Sequence, residues 1–265
     1  MIRRAEEKDR AAVLDWLRAE PEFNLFAIGD ILAYGMQSEE IEIFLETRRG
    51  AIDALLLRLR TSFVIAERDG ADLAALAGRV NTALATPGTW HLSGKKAVVE
   101  RLMARVPFTP TEAHDCIFCV CREPKAEVRL DRLDAVRLAT AAETPEVTAL
   151  QELVFGDRRN AENMAKGIER GDRVAIVRDG ATGRIICAAG AVAESDASAM
   201  IVGVATHPEH RGKGCASACV WRLISDLRAR GKSACLFFHN PDAGSIYRRL
   251  GFADIGVWRL LEFPR

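Results

Sequence analysis

The sequence has no excess of charge, no long apolar run and no disulfide framework. Its 37 Lys and Arg residues balance 37 Asp and Glu residues, whereas nucleic-acid-binding proteins normally carry a strongly basic surface. No uncharged run approaches the ~20 residues that a membrane span needs. Residues Met1 to Trp16 mix both charges without an apolar stretch, so they do not read as a secretory signal. We therefore expect neither a nucleic-acid partner nor a membrane partner.

The cysteines do not form a recognisable pattern. Seven is an odd number, so we expect free thiols in a reducing cytoplasm. Cys116 and Cys119 have the spacing of zinc ligands, but no second pair of ligands lies nearby in the sequence. On a strand, Cys119 and Cys121 would share one face and Cys116 would lie on the other. The sequence therefore predicts buried thiols and no metal.

What the sequence does contain is enough apolar residues for a large core. Of its 265 residues, 49% are hydrophobic, and a chain of this length usually forms two domains. The polar stretch Arg122–Glu127, which includes Pro124, follows the apolar run Cys116–Cys121 and is typical of a linker. We predict one domain over residues 1–124 and a second over residues 125–265.

Both halves mix helical and strand patterns, so the expected fold class is α/β with a mixed sheet. In the first half, the predicted helices are Asp9–Leu17, Ala71–Ala85 and Lys95–Arg105, and the predicted strands are Ile41–Leu45, Ala51–Leu57, Ser62–Ala66 and Cys116–Cys121. In the second half, the predicted strands are Arg137–Ala139, Val174–Val177, Arg184–Ala193, Met200–Thr206, Ala234–Phe238 and Ile255–Phe263.

Four helices are predicted between the strands of the second half. The first begins at Thr144-Pro145, with Thr144 as its N-cap and Pro145 at its first position. The second spans Asn160–Ile168. The third follows residue 215 and ends at Gly231, and the fourth begins at Asn240 and is capped by Gly251.

One turn in the second half carries a chemical signal. The strand Met200–Thr206 leads into Arg211-Gly212-Lys213-Gly214-Cys215-Ala216, and that turn opens a helix. The first N–H groups of a helix have no partner within it and attract anions, and glycine lets a phosphate come close to the backbone. Arg211 and Lys213 add positive charge. The pattern predicts a site for a pyrophosphate.

Two common nucleotide motifs do not fit this turn. A Walker motif needs Ser or Thr after Gly-Lys, but Gly214 follows Lys213. A Rossmann fingerprint needs a third glycine where Ser217 stands. Taken alone, the turn is equally compatible with a charged surface turn that binds nothing.

The segment Val204–Ala216 resembles motif A of the GNAT N-acetyltransferase superfamily, Arg/Gln-x-x-Gly-x-Gly/Ala, with Arg211, Gly214 and Ala216 in its fixed places. Downstream, the sequence resembles motif B at Asn240-Pro241, Ser245, Tyr247 and Leu250-Gly251-Phe252. The resemblance covers roughly Arg137 to Phe263 and is closest to the branch of glycine N-acyltransferase-like proteins and tandem bacterial relatives.

The resemblance implies a C-terminal GNAT fold preceded by a second α/β domain. The segment Glu22–Asp30 is similar to the front half of the tandem relatives, which implies that the first domain is a degenerate GNAT-like copy. An unrelated α/β domain is the alternative.

The resemblance also implies a role for each residue of the site. The backbone N–H groups of Arg211, Gly212, Lys213, Gly214, Cys215 and Ala216 would hold the pyrophosphate. The edge of Met200–Thr206 would pair with the pantetheine arm. An N–H among Val204, Ala205 and Thr206 would polarise the thioester carbonyl, and Asn240 and Ser245 would contact the coenzyme A arm.

Tyr247 would be the general acid that protonates the departing thiolate. Its alternative role is core packing, and that of Asn240 is a helix cap. Cys215 stands at a helix N-terminus, where a thiolate is favoured, but we do not expect a covalent acyl-cysteine.

The general base is not evident from the sequence. Many members of the family carry a Glu on the strand that is Ala199–Thr206 here, and this strand has no carboxylate. Glu194, acting through a water, and His239, at the end of a strand, are the candidate side chains. A chain of waters without any side chain is the alternative.

Together these features predict an N-acyltransferase that moves an acyl group, acetyl in the simplest case, from coenzyme A to a primary amine of a small molecule or amino acid. Transfer would be direct, in a ternary complex, by a monomer or homodimer. The acceptor pocket would involve the Thr144–Ile168 helices, the strand near Trp258 and the first half. The alternatives are a non-catalytic acyl-CoA sensor and an interaction protein without a ligand.

Overall fold

The computed structural model describes residues 1–68, 70–125 and 132–264. The chain divides into two compact units, Met1–Phe118 together with Ile255–Arg265, and Cys119–Asp254. The predicted linker falls within the second unit, and its Ala126 and Glu127 lie outside the described residues. The units therefore differ from the predicted domains at residues 119–124 and in the C-terminal strand.

The first unit is built on a mixed sheet in the order β1-β2-β3-β4-β5-β12. Its helices are α1 (Arg10–Leu17), α2 (Leu25–Tyr34), α3 (Ala74–Leu84) and α4 (Lys96–Met103). Its strands are β1 (Ile2–Arg4), β2 (Ile41–Arg48), β3 (Ala51–Leu59), β4 (Ser62–Glu67), β5 (Trp90–Lys95), the first part of β6 (Glu112–Cys121) and most of β12 (Ala253–Phe263). Strands β1 to β4 are antiparallel, and β4 and β5 are parallel.

Helices cover both faces of this sheet. Ile43 and Leu45 pack in a cluster with residues of α1 and α2. Phe44, which points to the other face because side chains alternate along a strand, packs with residues of α3 and α4. All three side chains are buried, as expected for a sheet with helices on both sides.

The C-terminal strand is where it was predicted but has a different partner. Trp258–Phe263 pair antiparallel with Trp90–Lys95 on β5. This pairing explains why residues after Ile255 group with the first unit. The prediction placed Ile255–Phe263 in the sheet of the second domain, and the sequence contains no signal that would identify its neighbour.

The second unit repeats the same order of elements. Its sheet runs β7-β8-β9-β10-β11, antiparallel up to β10, with β10 and β11 parallel. The elements are β7 (Val136–Leu138), α5 (Thr144–Phe155), α6 (Ala161–Glu169), β8 (Arg173–Arg178), β9 (Ile185–Val192), β10 (Ser198–Thr206), α7 (Cys215–Arg228), β11 (Ser233–Phe238) and α8 (Pro241–Leu250). The predicted α/β fold with a second domain is confirmed.

The helix ends show which capping predictions were right. The side chain of Asn160 accepts a hydrogen bond from the Asn163 N–H (2.9 Å), and that of Asn240 caps α8. The N-cap of α5 is Glu143 and not Thr144. The chain makes a 3-10 turn first, and that turn begins with a capping box between Thr140 and Glu143.

The third predicted helix of the second half ends earlier than expected. Helix α7 finishes at Arg228, and Gly231 follows it with a φ of 73°. No helix in the described part of the chain combines the length and apolar composition that crossing a bilayer requires.

Candidate functional site

The glycine-rich turn has the backbone geometry of an anion site. Gly212 and Gly214 have φ angles of 73° and 77°, which glycine adopts at little cost. The first hydrogen bond of α7 runs from the Ala218 N–H to the Gly214 carbonyl at 3.0 Å. The N–H groups of Cys215, Ala216 and Ser217 therefore have no acceptor within their own helix. They form the positive end of the helix dipole.

The two glycines also leave room for a ligand. A Cβ built on Gly212 or on Gly214 would meet no atom within 4 Å. Residues 211–214 are exposed. A phosphate could therefore approach the backbone of the turn closely.

Arg211 is held differently from its predicted role. Its N–H donates to the Pro208 carbonyl (3.3 Å) and its Nε donates to the Thr206 carbonyl (3.4 Å). The N–H thus points back into the preceding 3-10 turn, Pro208–His210. It points away from the free N–H groups of Cys215, Ala216 and Ser217, which we call the cradle. Lys213 is exposed, and its Nζ donates to the Glu209 carbonyl at 3.2 Å. The cradle is formed by the N–H groups that follow Arg211.

Cys215 is a buried thiol and not an exposed thiolate. It is 2% exposed, and burial raises the pKa of its thiol. The raised pKa outweighs the helix N-terminus that would favour a thiolate. This finding agrees with a purely backbone role for Cys215.

Strand β10 is irregular at the positions predicted to face the thioester. Its pairing with β9 passes from Val202↔Gly190 to Ala205↔Ala188. Gly203 and Val204 therefore lie opposite the single residue Ala189 in a β-bulge, and Gly203 has a φ of 59°. A glycine with positive φ at the first position is typical of one class of bulge.

The other edge of β10 pairs with β11 only at its start. The described pairing covers Ser198↔Ser233 to Met200↔Cys235. Beyond Met200, the edge of β10 that faces β11 is outside this ladder. An extended ligand could add to this edge as a strand does, which is the position predicted for the pantetheine arm.

Tyr247 packs like a core residue but has a free hydroxyl. It is 8% exposed, and its ring lies 5.8 Å from that of Phe238 and 5.9 Å from that of Phe252. Among the described residues its hydroxyl has no hydrogen-bond partner. Burial, with a smaller contribution from Cys187, raises the pKa of Tyr247 to about 12. A phenol with that pKa stays protonated at neutral pH, as a general acid must.

Cys187 connects Tyr247 to the end of β10. Its Sγ lies 3.3 Å from the Oγ1 of Thr206, and it is close enough to Tyr247 to affect the pKa of the phenol. Two predicted site residues, Thr206 and Tyr247, thus share a neighbour.

Asn240 and Ser245 are occupied within α8. The Asn240 side chain accepts from the Asp242 N–H (2.9 Å), and the Ser245 hydroxyl donates to the Asp242 carbonyl (2.7 Å). Both residues are exposed. The geometry therefore accounts for Asn240 as a helix cap, and contact of either residue with coenzyme A stays a prediction.

The two candidate bases differ in their surroundings. The Glu194 carboxylate accepts hydrogen bonds from Arg230 (2.6 and 2.7 Å) and from Lys232 (2.6 Å). Burial raises the pKa of Glu194, but Lys232 and Arg230 outweigh it and the pKa is lowered. A carboxylate held in this way is a poor base. His239 is exposed after the end of β11.

Gln151 contacts the bulge of β10, and the sequence did not predict this contact. It is 4% exposed on α5, and its Nε2 donates to the carbonyl of Gly203 in the bulge at 3.1 Å. The available signal was a glutamine four residues after Val147, on the apolar face of its helix.

The predicted thiols are buried, as expected. All seven cysteines are buried and free. Cys119 donates to Asp254 (3.2 Å) and Cys121 to the Leu250 carbonyl (3.9 Å), so neighbouring thiols have separate partners. In the part of the chain that the structure describes, the group able to hold a metal ion is His207, Glu209 and His210, whose ligand atoms lie within 4.8 Å of one another.

Comparison with known proteins identifies the second half. Residues 135–255 match the family model of an acetyltransferase (GNAT) domain. The chain is similar to serotonin N-acetyltransferase 2, chloroplastic, of Oryza sativa subsp. japonica, with 32% identity over 127 residues, 45% of this chain and 63% of the rice protein. The match thus spans less than two thirds of the length of that relative.

Two solved structures resemble nearly the whole chain. An acetyltransferase of the GNAT family from Novosphingobium aromaticivorans has a TM-score of 0.63 at 19% identity, covering 94% of this chain and 98% of its own. A tandem GNAT protein from the clavulanic acid biosynthesis pathway has a TM-score of 0.60 at 14% identity, covering 99% and 97%. At these identities the likeness concerns the fold. The predicted superfamily is confirmed, and residues 135–255 are a GNAT acetyltransferase domain.

Proposed function

We propose that the chain is an acyl-CoA-dependent N-acyltransferase that transfers an acyl group, acetyl in the simplest case, to a primary amine of a small molecule or amino acid. The observation that carries the proposal is the turn with unpaired N–H groups at Cys215–Ser217 and open space at Gly212 and Gly214. A pyrophosphate is the ligand group that this arrangement suits. The edge of β10 beyond Met200 offers the adjacent place for the pantetheine arm.

Polarisation of the thioester and protonation of the thiolate each have a group of this chain to support them. The N–H groups near the bulge polarise the thioester carbonyl, most directly that of Val204. The amine nitrogen then forms a C–N bond as the C–S bond breaks. The Tyr247 hydroxyl gives its proton to the departing thiolate. Because its pKa is about 12, this hydroxyl is protonated throughout the neutral range.

The proton of the amine needs an acceptor other than Glu194. That carboxylate is engaged by Arg230 and Lys232. The proton therefore passes either to water or to the imidazole of His239. No carboxylate on β10 is needed in this scheme.

The acceptor is proposed as an amine because residues 135–255 belong to an acetyltransferase family and because the rice relative is named for N-acetylation of serotonin. The remaining expectations are a reducing cytoplasm, which suits seven free thiols, and a monomer or homodimer without nucleic-acid or membrane partners.

Incubation with acetyl-CoA and a panel of amines and amino acids tests the proposal. Free coenzyme A thiol and N-acetylated product should appear in equal amounts with at least one acceptor. The absence of thiol release with every amine would contradict catalysis.

The absence of a carboxylate on β10 favours one alternative, an acyl-CoA sensor. In that case acetyl-CoA would raise the melting temperature without being consumed. A protein with no ligand would show no thermal shift.

A further inference from the structure

The side chain of Gln151 is locked against the bulge of β10. Its Nε2 donates to the Gly203 carbonyl at 3.1 Å, and the residue is 4% exposed. A Cβ built on Gly203 would lie 2.3 Å from the same Nε2. The contact is therefore so close that position 203 has no room for a side chain while Gln151 stays in place.

The bulge makes this hydrogen bond more than a packing detail. Gly203 and Val204 both lie opposite Ala189, between the paired positions Val202 and Ala205. Bulged residues leave the regular ladder, so their peptide groups need partners elsewhere. Gln151 supplies the partner for the carbonyl of Gly203.

The direction of the neighbouring N–H follows from the planarity of the peptide. None of the described peptide bonds is cis, and in a trans peptide the C=O of one residue and the N–H of the next point in opposite directions. Because Gln151 holds the Gly203 oxygen on the side of α5, the Val204 N–H points away from α5. A fixed donor can stabilise a developing oxyanion without reorganising.

We infer that Gln151 is a positioning residue for the acyl-transfer reaction, which sets the direction of the Val204 N–H so that it can donate to the thioester oxygen. The inference rests on the proposed function and adds to it the residue that orients the donor. Gln151 acts through the Gly203–Val204 peptide and touches neither the acyl group nor the amine.

Three variants separate positioning from packing. Gln151→Met keeps the approximate volume but removes the donor, and should lower kcat by about tenfold to hundredfold with little change in KM for acetyl-CoA. Ser195→Ala is the control, because Ser195 is buried and its hydroxyl donates to the Ser198 carbonyl (3.1 Å) at the start of β10, outside the segments assigned to the site. It should retain kcat.

Gln151→Glu adds a pH signature. A protonated carboxylic acid can donate to the Gly203 carbonyl, whereas a carboxylate would repel it. Burial raises the pKa of such a carboxyl group. The kcat of this variant relative to the wild type should therefore increase as the pH falls. A ratio that does not change with pH would overturn the inference, and this variant keeps it testable if Gln151→Met does not fold.

Amide NMR of the full chain tests the geometry without turnover. In the wild type, acetyl-CoA and coenzyme A should both shift the N–H resonances of Gly212–Ala216, whereas that of Val204 should respond to the acetyl form alone. In Gln151→Met, the turn should still respond and the acetyl-specific shift of Val204 should disappear. A Val204 shift that persists unchanged in Gln151→Met would overturn the inference while leaving the proposed function intact. If the turn responds to neither ligand, the proposed function fails and the inference fails with it.

Discussion

The two units share one order of elements but differ at the place where the second unit has its site. In each unit, the last strand of an antiparallel series is followed by a turn and a helix. The strand after that helix pairs parallel with the strand before it, β5 with β4 in the first unit and β11 with β10 in the second. In the first unit, the turn before α3 contains a carboxylate, and the Oδ1 of Asp72 accepts from the Ala74 N–H at 3.1 Å. In the second, the residue before α7 is Gly214, which has no side chain that could accept from the first N–H groups of the helix. The first unit thus has a carboxylate at the start of α3, and the second unit has none at the start of α7.

The strands differ as well. β4 pairs with β3 without a register shift and with β5 from Ser62 to Ile65. A Cβ on Gly94 would lie 2.8 Å from Ile65, so β4 and β5 are closely packed. β10, in contrast, is bulged and leaves β11 after Met200. The seventh residue of α8 is Tyr247, and the seventh of α4 is the buried Leu102. The two units thus differ by a few local changes on the same order of elements, and these changes lie at the candidate site of the second unit.

The largest expected effect comes from placing a carboxylate at the start of α7. Gly214→Asp places a negative charge in the cradle at a φ of 77°. Removing an anion site and adding repulsion should weaken acetyl-CoA binding by at least about a hundredfold, since every ~1.4 kcal/mol is tenfold in affinity. The measurement is the Kd from calorimetric titration.

Gly70→Asp is the matched control for that variant. Gly70 has a φ of 83°, and a Cβ there would also meet no atom within 4 Å. The backbone strain, about 1–2 kcal/mol, should be similar in both proteins, so their melting temperatures should fall together. Equal loss of acetyl-CoA affinity in both variants would show that strain, and not the cradle, is responsible.

Tyr247→Phe should have the next largest effect. A general acid contributes about 10²–10⁴-fold to rate, so kcat should fall by about a hundredfold or more while the Kd of acetyl-CoA stays the same. The chain has two tyrosines, and Tyr34→Phe in the first unit is the control and should leave kcat unchanged. Full turnover by Tyr247→Phe at every pH would remove the acid assignment.

The pH dependence of kcat should show a smaller effect. An ordinary tyrosine has a pKa of about 10 and would be half ionised at that pH. The pKa of Tyr247 is raised to about 12, and the acid acts in its protonated form, so its activity is lost only as the pH rises through about 12. The wild-type rate should therefore not decline on approaching pH ~10. A decline centred on the ordinary value would show that Tyr247 is not the group that limits transfer.

Glu194→Gln should have the smallest effect on rate. If Glu194 were the base, kcat would fall by about a hundredfold, whereas its ion pairs with Arg230 and Lys232 predict a change within about twofold. Because the pKa of Glu194 is lowered in the folded protein, its ionised form stabilises the fold above the unfolded-state pKa of about 4.3. This stabilisation is lost as the pH falls through the lowered pKa. The variant should lower the melting temperature at neutral pH, by an amount that corresponds to about 1 kcal/mol.

A more exposed ion pair in the first unit makes a comparison. Glu20 pairs with Lys95, and their side chains are 46% and 32% exposed. Glu20→Gln should therefore lower the melting temperature less than Glu194→Gln does. The reverse order would contradict the role given to burial.

Most of the fold could be predicted from the sequence because periodicity and turn residues mark it. The predicted runs at Ile41, Ala51 and Ser62 are β2, β3 and β4, and the asparagine caps at Asn160 and Asn240 are present. Three elements of the first unit, β1, β5 and α2, were not identified from periodicity. The segment Trp90–Lys95 is β5 although it contains His, Ser, Gly and Lys, because it is stabilised by neighbours on both edges.

Another missed element, Leu25–Tyr34, is an α-helix that contains Gly29 and has no side-chain cap. Its burial against β2 and β3 overrides weak local signals. The resemblance to a family, and not the pattern of the residues, drew attention to that segment.

The site was predictable only in part. Sequence spacing placed Gly212–Ala216 at the start of a helix and Tyr247 on a later helix, as the structure has them, and their roles in a site stay predictions. It could not show that the Arg211 N–H turns back to Pro208 or that Gln151 meets Gly203 across 52 residues. Such contacts depend on how a bulge and a helix pack, and no local pattern records them.

The stoichiometry of acetyl-CoA binding tests the comparison of the two units most directly. Calorimetric titration of the full chain should give one molecule of acetyl-CoA per chain, bound by the turn before α7, because the turn before α3 already holds the carboxylate of Asp72. Two molecules per chain, or none, would contradict the account.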